Sequence, residues 1–276
     1  MKKIKFAIIG NPVSHSLSPI LHNYWFSKYN INAEYELLDI DENEIKNVIK
    51  RVKNKEIKGI NVTLPYKQLI IPFLTKTVND ANETHSVNTI MMDDSDNLIG
   101  ENTDVFGFQA AFLKSIPNKE KKNMKVLILG AGGVAPSIIL ALIKSNILKI
   151  SLTNRTYEKS LFIKKKFKTI DVVKWEDFSK DISKFDIIIN ATSLGLHPSD
   201  EFKNDFSNFK KSVIYIDTIY NPSQTKMFKY FKSKNIRSFN GLNMFIYQGQ
   251  KAFYLWNKIN PEVDDELLEL LELKLN

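Results

Sequence analysis

Lys125 to Leu129 is a short apolar run that opens directly on Gly130-Ala131-Gly132-Gly133-Val134-Ala135, and a helical pattern follows over 134–145. No other feature restricts the fold as much. A strand that ends in a glycine turn and passes at once into a helix is the opening unit of a parallel α/β sheet. The alternation continues with strand Ile150–Thr153, helix 157–167, strand 170–173, strand Asp186–Asn190 and strand Val213–Asp217. This pattern predicts a Rossmann-type, doubly wound parallel sheet with helices on both faces. In that setting the first glycine makes the tight turn and the second lets backbone approach a pyrophosphate. The helix N-terminus attracts the charge. Ala135 stands at the third glycine position, where alanine is an accepted substitute. A glycine loop alone is also an ordinary strand–helix turn. With strand and helix on the correct sides, Gly130, Ala131, Gly132, Gly133 and Val134 read as a dinucleotide site.

The end of the next strand bears on which dinucleotide. An NAD site places an acidic residue there to hold ribose hydroxyls. This chain has Thr153-Asn154-Arg155-Thr156 instead, with Lys159 one turn on. A guanidinium, an ammonium and hydroxyls suit a 2′-phosphate through charge-assisted contacts. A surface arginine at a strand end is the plainer alternative; its place after the glycine loop favours NADP. Thr192 and Ser193, in Asn190-Ala191-Thr192-Ser193-Leu194-Gly195 at a later strand end, are placed to line the same crevice.

The first hundred residues alternate strand and helix on their own. Strands are expected at 5–9, 34–39 and 59–64, helices from Pro19 to Tyr29 and over 42–53. A hairpin of Val87–Met92 and Leu98–Glu101 turns at Asp93-Asp94-Ser95-Asp96-Asn97. Asp104–Lys114 reads as a helix leading to a polar, lysine-rich connector at 117–123. Helices 243–257 and 262–274 close the chain and are expected to pack back on the first part.

Within this half, Gly59-Ile60-Asn61-Val62-Thr63-Leu64-Pro65-Tyr66-Lys67 is the most informative segment. Period-two alternation puts Asn61 and Thr63 on one face and Ile60, Val62 and Leu64 on a core face. Pro65 ends the pairing, and Lys67 is the first charged side chain beyond it. Taken alone, a solvated lysine after an ordinary strand accounts for this. Other polar groups gather at strand ends, however: Asn88, and Asn102-Thr103-Asp104. Asp104 is the natural companion of Lys67. Such a carboxylate favours the ammonium form while burial opposes it, and the balance is not set by sequence. Ser14-His15-Ser16-Leu17-Ser18-Pro19 precedes a helix, with Ser18 as N-cap and Pro19 in the first turn. The hydroxyls of Ser16 and Ser18 at that N-terminus suit a carboxylate ligand. His15 and His22 have no carboxylate partner in sequence and read as structural or solvent-facing.

At 276 residues the chain suits two medium domains, and a hydrophobic fraction of 43% allows a sizeable core. No apolar run is long enough to span a membrane, and the apolar start runs into Gly10-Asn11-Pro12 without a cleavage site. Absence of cysteine excludes disulfides, thiolate metal sites and a cysteine nucleophile, and agrees with a cytoplasmic location. The net charge of +8 is dispersed through helices and loops without an RNA-binding or zinc pattern. Anionic small-molecule substrates explain it more simply than nucleic acid.

Together these motifs resemble the shikimate dehydrogenase family over essentially the whole chain. The resemblance rests on Gly10-Asn11-Pro12, Ser16-Leu17-Ser18-Pro19, Asn61-Val62-Thr63-Leu64-Pro65-Tyr66-Lys67, Val87-Asn88-Thr89 and Asn102-Thr103-Asp104. It continues through Gly130-Ala131-Gly132-Gly133, Asn154-Arg155-Thr156, Asn190-Ala191-Thr192-Ser193 and Gly241-Leu242-Asn243-Met244, ending in Gln248. It implies an α/β substrate domain with a mixed sheet over 1–102, completed by helices 241–276, and an NADP domain over 103–240. It implies reversible NADPH-dependent reduction of 3-dehydroshikimate to shikimate, in a monomer or homodimer. Ser16 and Ser18, helped by Tyr220, are implied to bind the substrate carboxylate. Asn61, Thr63, Asn88, Asp104 and Gln248 are implied to hold ring hydroxyls. Lys67 is implied as proton donor and acceptor beside Asp104, and Thr218 and Gly241 near the nicotinamide. No metal is implied. A relative that also takes quinate or uses NAD, and a non-catalytic NADP-binding protein, are the alternatives. Three places depart from the family's usual pattern: His85-Ser86 replaces Gly-Ala, Asn243 replaces glycine, and Ala135-Pro136-Ser137 replaces an alanine-arginine style continuation. None removes a proposed catalytic group.

Overall fold

The computed structural model describes residues 2–197, 199–200 and 202–275. The chain divides into two compact units, Met1–Gly107 with Ile246–Lys274, and Phe108–Phe245 with Leu275–Asn276.

The first unit opens with β1 (Ile4–Gly10), α1 (Ser18–Lys28), β2 (Ala33–Asp39), α2 (Ile45–Lys53) and β3 (Gly59–Val62). It continues with β4 (Lys76–Thr77), α3 (Asp80–Thr84), β5 (Thr89–Met92), β6 (Leu98–Glu101) and α4 (Asp104–Phe108). Ile45, Val48, Ile49 and Val52 of α2 are all buried, the i, i+3, i+4, i+7 stripe of a helix laid on a sheet. A capping box between Asp41 and Glu44 starts the turn ahead of it. The sheet order is β2-β1-β3-β5-β6-β4. β2, β1 and β3 run parallel, whereas β5 is antiparallel to β3 and β6 antiparallel to β5. Those two reversals have a positional consequence. The C-terminal ends of β1, β3 and β6 and the N-terminal end of β5 all fall on one edge of the sheet.

The second unit contains α5 (Asn118–Lys121), β7 (Lys125–Leu129), α6 (Ala135–Lys144), β8 (Lys149–Asn154), α7 (Tyr157–Lys166), β9 (Asp171–Lys174) and β10 (Ile187–Asn190). β11 (Ile214–Asp217), α8 (Lys226–Ser233) and β12 (Arg237–Phe239) complete it. Its six strands are all parallel, in the order β12-β11-β10-β7-β8-β9. The order reverses between β7 and β10, the switch point at which doubly wound sheets bind ligands. The short helix α5 and the pair α8–β12 lie outside the expected pattern.

The chain ends in α9 (Leu242–Asn257) and α10 (Asp265–Glu272). Within the first unit, Trp256 Nε1 donates to the Ile90 carbonyl at 3.0 Å and Trp25 Nε1 to that of Glu262 at 2.9 Å. Lys28 pairs with Glu262 and Asp264. Asp264 also caps α10 through the Leu267 amide.

Two expectations are corrected. β3 stops at Val62, so Ile60 and Val62 enter the core while Leu64 is 59% exposed. The Leu64–Pro65 peptide is cis, and the chain has left the sheet there. Ser18 is not the N-cap of α1 but its first helical residue, and no side chain caps from the Leu17 position. Ser16 Oγ accepts the Ser18 amide at 3.2 Å instead.

His22 is fully buried in this unit, stacked on Tyr35 at 4.5 Å with 5° between ring planes and edged by Trp25 and Trp256. Neither ring nitrogen has a hydrogen-bond partner among the described residues. Burial therefore pulls its pKa from the ordinary 6.5 down to about 3. A lowered folded value means the unfolded chain binds the extra proton below pH 6.5. Stability is then fully present above that pH and lost as pH falls toward 3, by about 4 kcal/mol. His22→Phe is expected to flatten the decline in unfolding free energy between pH 6.5 and 3.5, as measured by denaturant titration at stepped pH.

Candidate active site

The favoured sheet edge of the first unit gathers the polar residues singled out in the sequence. Lys67 Nζ lies 2.6 Å from Asp104 Oδ2, with the two side chains only 13% and 7% exposed. Burying both charges is costly unless the remaining lone pairs are satisfied. Asn88 supplies that: its Nδ2 donates to Asp104 Oδ1 at 2.9 Å and to Thr103 Oγ1 at 3.0 Å, with Gln248 Oε1 at 3.4 Å. Asn88 Oδ1 in turn accepts the Thr103 amide at 2.8 Å. The Lys67 carbonyl accepts the Val87 amide at 2.8 Å, which pins the lysine's backbone beside the start of β5.

Asn102 braces the carboxylate from behind. Its Oδ1 accepts the Asp104 amide at 3.0 Å at the start of α4, while its Nδ2 donates to the Ser86 carbonyl at 2.8 Å. Asn61 is buried, with Nδ2 donating to the Asn88 carbonyl at 3.0 Å and Thr89 Oγ1 at 3.1 Å. Tyr35 donates its hydroxyl to Asn61 Oδ1 at 2.6 Å. Thr63 is half-buried just past β3, and its amide donates to the Ile9 carbonyl. Ser16 Oγ donates to Ser18 Oγ at 3.1 Å at the start of α1, so the two hydroxyls stand together. The bracing roles of Tyr35, Thr89, Asn102 and Thr103 were not drawn from sequence. Their partners lie on other segments of the chain; Tyr35 meets Asn61 across the parallel strands, and the strand reversals bring Thr89, Asn102 and Thr103 to the same edge.

In the second unit the glycine loop sits between β7 and α6 as expected. Gly130 has φ +106°, and a Cβ there would stand 2.7 Å from the Ala191 carbonyl oxygen, so glycine is required by the fold itself. Gly132 differs: a Cβ would meet nothing nearer than the Ala191 oxygen at 3.9 Å. The protein does not demand glycine there; a closely approaching pyrophosphate would. Pro136 lies in the first turn of α6, where its missing N–H costs nothing. Asn154 Oδ1 accepts the Ala131 amide at 3.1 Å, tying the glycine loop to the end of β8. Arg155, Thr156 and Lys159 are exposed beside it, and Thr156 makes no side-chain cap to α7. Basic and hydroxyl groups thus flank the loop with no acidic residue in Asn154-Arg155-Thr156, which fits NADP.

Thr192 and Ser193 follow β10. The Thr192 hydroxyl donates to Asn190 Oδ1 at 2.7 Å and accepts the Leu194 amide, so it shapes the loop, while Ser193 is exposed. Thr218 Oγ1 donates to the Asn190 carbonyl at 2.9 Å, and the Gly241 amide to that of Ile219 at 3.0 Å, bringing Thr218 and Gly241 together. Tyr220 stacks on Phe245 at 4.7 Å. Asp217, which sequence reading passed over, is fully buried at the end of β11. It accepts from Asn190 Nδ2, the Ile219 amide, Thr225 and Tyr215. Burial pushes its pKa up, against those donors. Its position beneath both loops could have been read from its place beside Thr218.

His85 and Ser86 explain themselves in this geometry. His85 ends α3 with φ 48° and ψ 43°, a left-handed conformation that suits glycine. The Ser86 hydroxyl is buried without a partner among the described residues, in a space that fits alanine. Asn243 lies exposed in the first turn of α9, with no demand for glycine. Ser86→Ala is expected to raise unfolding free energy by about 1 kcal/mol. His85→Gly should add up to about 1 kcal/mol, part of its gain being offset by unfolded-chain entropy. Calorimetric melting of the single and double variants checks both, with steady-state rates expected to stay at the parental level.

Comparison with known proteins agrees with these geometries. Residues 8–90 match the family described as the shikimate dehydrogenase substrate binding domain, and residues 113–222 match shikimate / quinate 5-dehydrogenase. The shikimate dehydrogenase (NADP(+)) of Pelagibacter ubique is 47% identical over 273 residues, covering 99% of this chain and 100% of that one. The solved shikimate dehydrogenase of Aquifex aeolicus superposes with a TM-score of 0.88 at 34% identity, over 99% and 98% of the two chains. That of Thermus thermophilus, solved in complex with NADP(H) and shikimate, gives 0.87 at 28% identity, over 99% and 100%. The chain belongs to the shikimate dehydrogenase family.

Proposed function

We propose that this protein catalyses the reversible, NADPH-dependent reduction of 3-dehydroshikimate to shikimate, with Lys67 as the proton-transferring group. The observation that carries the assignment is the buried Lys67–Asp104 contact of 2.6 Å, with Asp104 held by Asn88 at the edge where β3 and β6 end. When bound, NADPH supplies a hydride to the carbonyl carbon. The alkoxide that develops needs a proton, and Lys67 delivers it; in the reverse direction the same amine takes the proton from the hydroxyl. Asp104 holds the ammonium by a charge-assisted bond and is itself held by Asn88.

Ring hydroxyls are bound by Asn61, Thr63, Asn88, Asp104 and Gln248, and the carboxylate by Ser16 and Ser18 with Tyr220. The first unit is thereby the substrate domain. In the second, Gly130, Ala131, Gly132, Gly133 and Val134 take the pyrophosphate. Arg155, Thr156 and Lys159, beside Asn154, take the 2′-phosphate, Thr192 and Ser193 line the same crevice, and Thr218 and Gly241 lie toward the nicotinamide. The open position at Gly132 and the exposed cations after β8 support this reading. Among the described residues no helix is long and apolar enough to cross a membrane. A cytoplasmic setting and a monomeric or homodimeric assembly complete the proposal.

Quinate carries one more hydroxyl than shikimate, and one polar contact changes preference strongly. Steady-state rates with shikimate and quinate, each with NADP and NAD, are expected to be highest for shikimate with NADP. Arg155→Gln is expected to raise the KM for NADP by about tenfold or more, with little change for NAD, as a lost charge-assisted bond requires. Lys67→Ala is expected to lower kcat by about a hundredfold or more, while shikimate binding stays measurable by titration calorimetry. An unchanged turnover number in that variant would remove Lys67 from its role.

A further inference from the structure

Tyr35 lies on β2, the outermost strand of the first sheet, and is not among the residues assigned to substrate or cofactor. Its side chain is nevertheless held from two directions by adjacent residues of α1. Asn23 clamps its backbone: the Tyr35 amide donates to Asn23 Oδ1 at 2.9 Å, and Asn23 Nδ2 donates to the Tyr35 carbonyl at 3.3 Å. His22 lies flat on its ring at 4.5 Å. With backbone and ring both held, the hydroxyl donates to Asn61 Oδ1 at 2.6 Å.

From Asn61 the hydrogen bonds run in one direction. Asn61 Nδ2 donates to Thr89 Oγ1 at 3.1 Å, and Thr89 Oγ1 donates to Asn88 Oδ1 at 3.1 Å. Asn88 Nδ2 then donates to Asp104 Oδ1 at 2.9 Å, and Asp104 Oδ2 receives Lys67. The Asn88 carbonyl, which can only accept, settles which end of the Asn61 amide carries the oxygen, and the Thr103 amide, which can only donate, settles it for Asn88. The Tyr35 and Thr89 hydroxyls then complete the contacts of the two oxygens so placed. Asn61 Oδ1 is the atom that the Tyr35 hydroxyl touches directly. Both Nδ2 hydrogens of Asn61 are engaged within the protein, so what the residue presents to a ring hydroxyl is the second lone pair of Oδ1. The tyrosine hydroxyl shares that oxygen. Further along, Asn88 is also secured by the Thr103 amide, so the influence of Tyr35 fades before it reaches Asp104.

We infer that Tyr35 is a positioning residue for substrate recognition, its hydroxyl pinning Asn61 Oδ1, the oxygen left to meet a ring hydroxyl of the substrate. The inference rests on the assignment of Asn61 to substrate binding. It calls for an effect on substrate affinity and not on the chemical step.

Tyr35→Phe keeps the stacked ring and removes only the hydroxyl. The KM for shikimate is expected to rise about fivefold to tenfold, the worth of one buried neutral hydrogen bond. The KM for NADP and kcat should stay within about twofold. The same substitution placed on Asn61→Ala should add nothing further, because its route to the substrate is gone. Asn23→Ala, which keeps the hydroxyl but frees the strand that carries it, should give a smaller rise of the same sign. If Asn61→Ala raises the KM for shikimate and Tyr35→Phe does not, the inference is overturned while the site stands. An additive rise in the double variant, or equal changes in both KM values, also overturns it. An unchanged KM in Asn61→Ala itself would instead show that Asn61 does not meet the substrate, and both assignments would fall together.

Discussion

Burying the Lys67–Asp104 pair sets the terms for the whole first unit. Two charges withdrawn from water repay their desolvation only when geometry is tight and every remaining polar atom is satisfied. Meeting that condition takes residues from four stretches of chain: the loop after β3, the start of β5, the end of β6 with the first turn of α4, and Gln248 on α9. An all-parallel sheet would send the start of β5 and the end of β6 to opposite edges. The two antiparallel steps of this mixed sheet bring both ends to the edge where β1 and β3 finish. The irregular topology is thus the architecture that the buried pair requires.

The second unit solves a related problem with a buried carboxylate that has no cation for a partner among the described residues. Asp217 sits under the switch point and is satisfied by four neutral donors, from Asn190, Ile219, Thr225 and Tyr215. Through Asn190 it fixes the loop carrying Thr192, and through Ile219 and Thr225 the loop that follows Thr218. Its pKa is pushed up by desolvation although each donor opposes that. A carboxylate held only by neutral groups suits a scaffold. One held by an amine suits proton transfer, because the amine is the group that exchanges a proton with the substrate.

The sequence made legible whatever depends on local rules. The glycine loop, the strand–helix alternation and the amphipathic α2 follow from turn chemistry and periodicity, which act over a few residues. The pairing of Lys67 with Asp104 was also within reach, since both follow strand ends. Errors arose where a local rule was overtaken by its neighbours. Ser18 has the right chemistry for an N-cap, but Ser16 takes the amide and the helix starts one residue early. Leu64 has the right parity for the core, but the strand ends before it. The β4 and β12 strands were missed because they are only two and three residues long, whereas α8 carries a local signal, the Thr225 cap, that was passed over.

Tyr35 shows what no periodicity can reveal. The sequence marks only the strand that carries it. Its significance lies in one oxygen atom and in where that oxygen meets Asn61, twenty-six positions along the chain. The same holds for Asn102, which the sequence offers only as a polar residue at a strand end. Apolar positions are specified by spacing because burial is non-directional. Polar positions in a buried network are specified by direction, and direction exists only once the strands are paired. A site built from such networks therefore becomes legible last, after the fold that its own composition helped to determine.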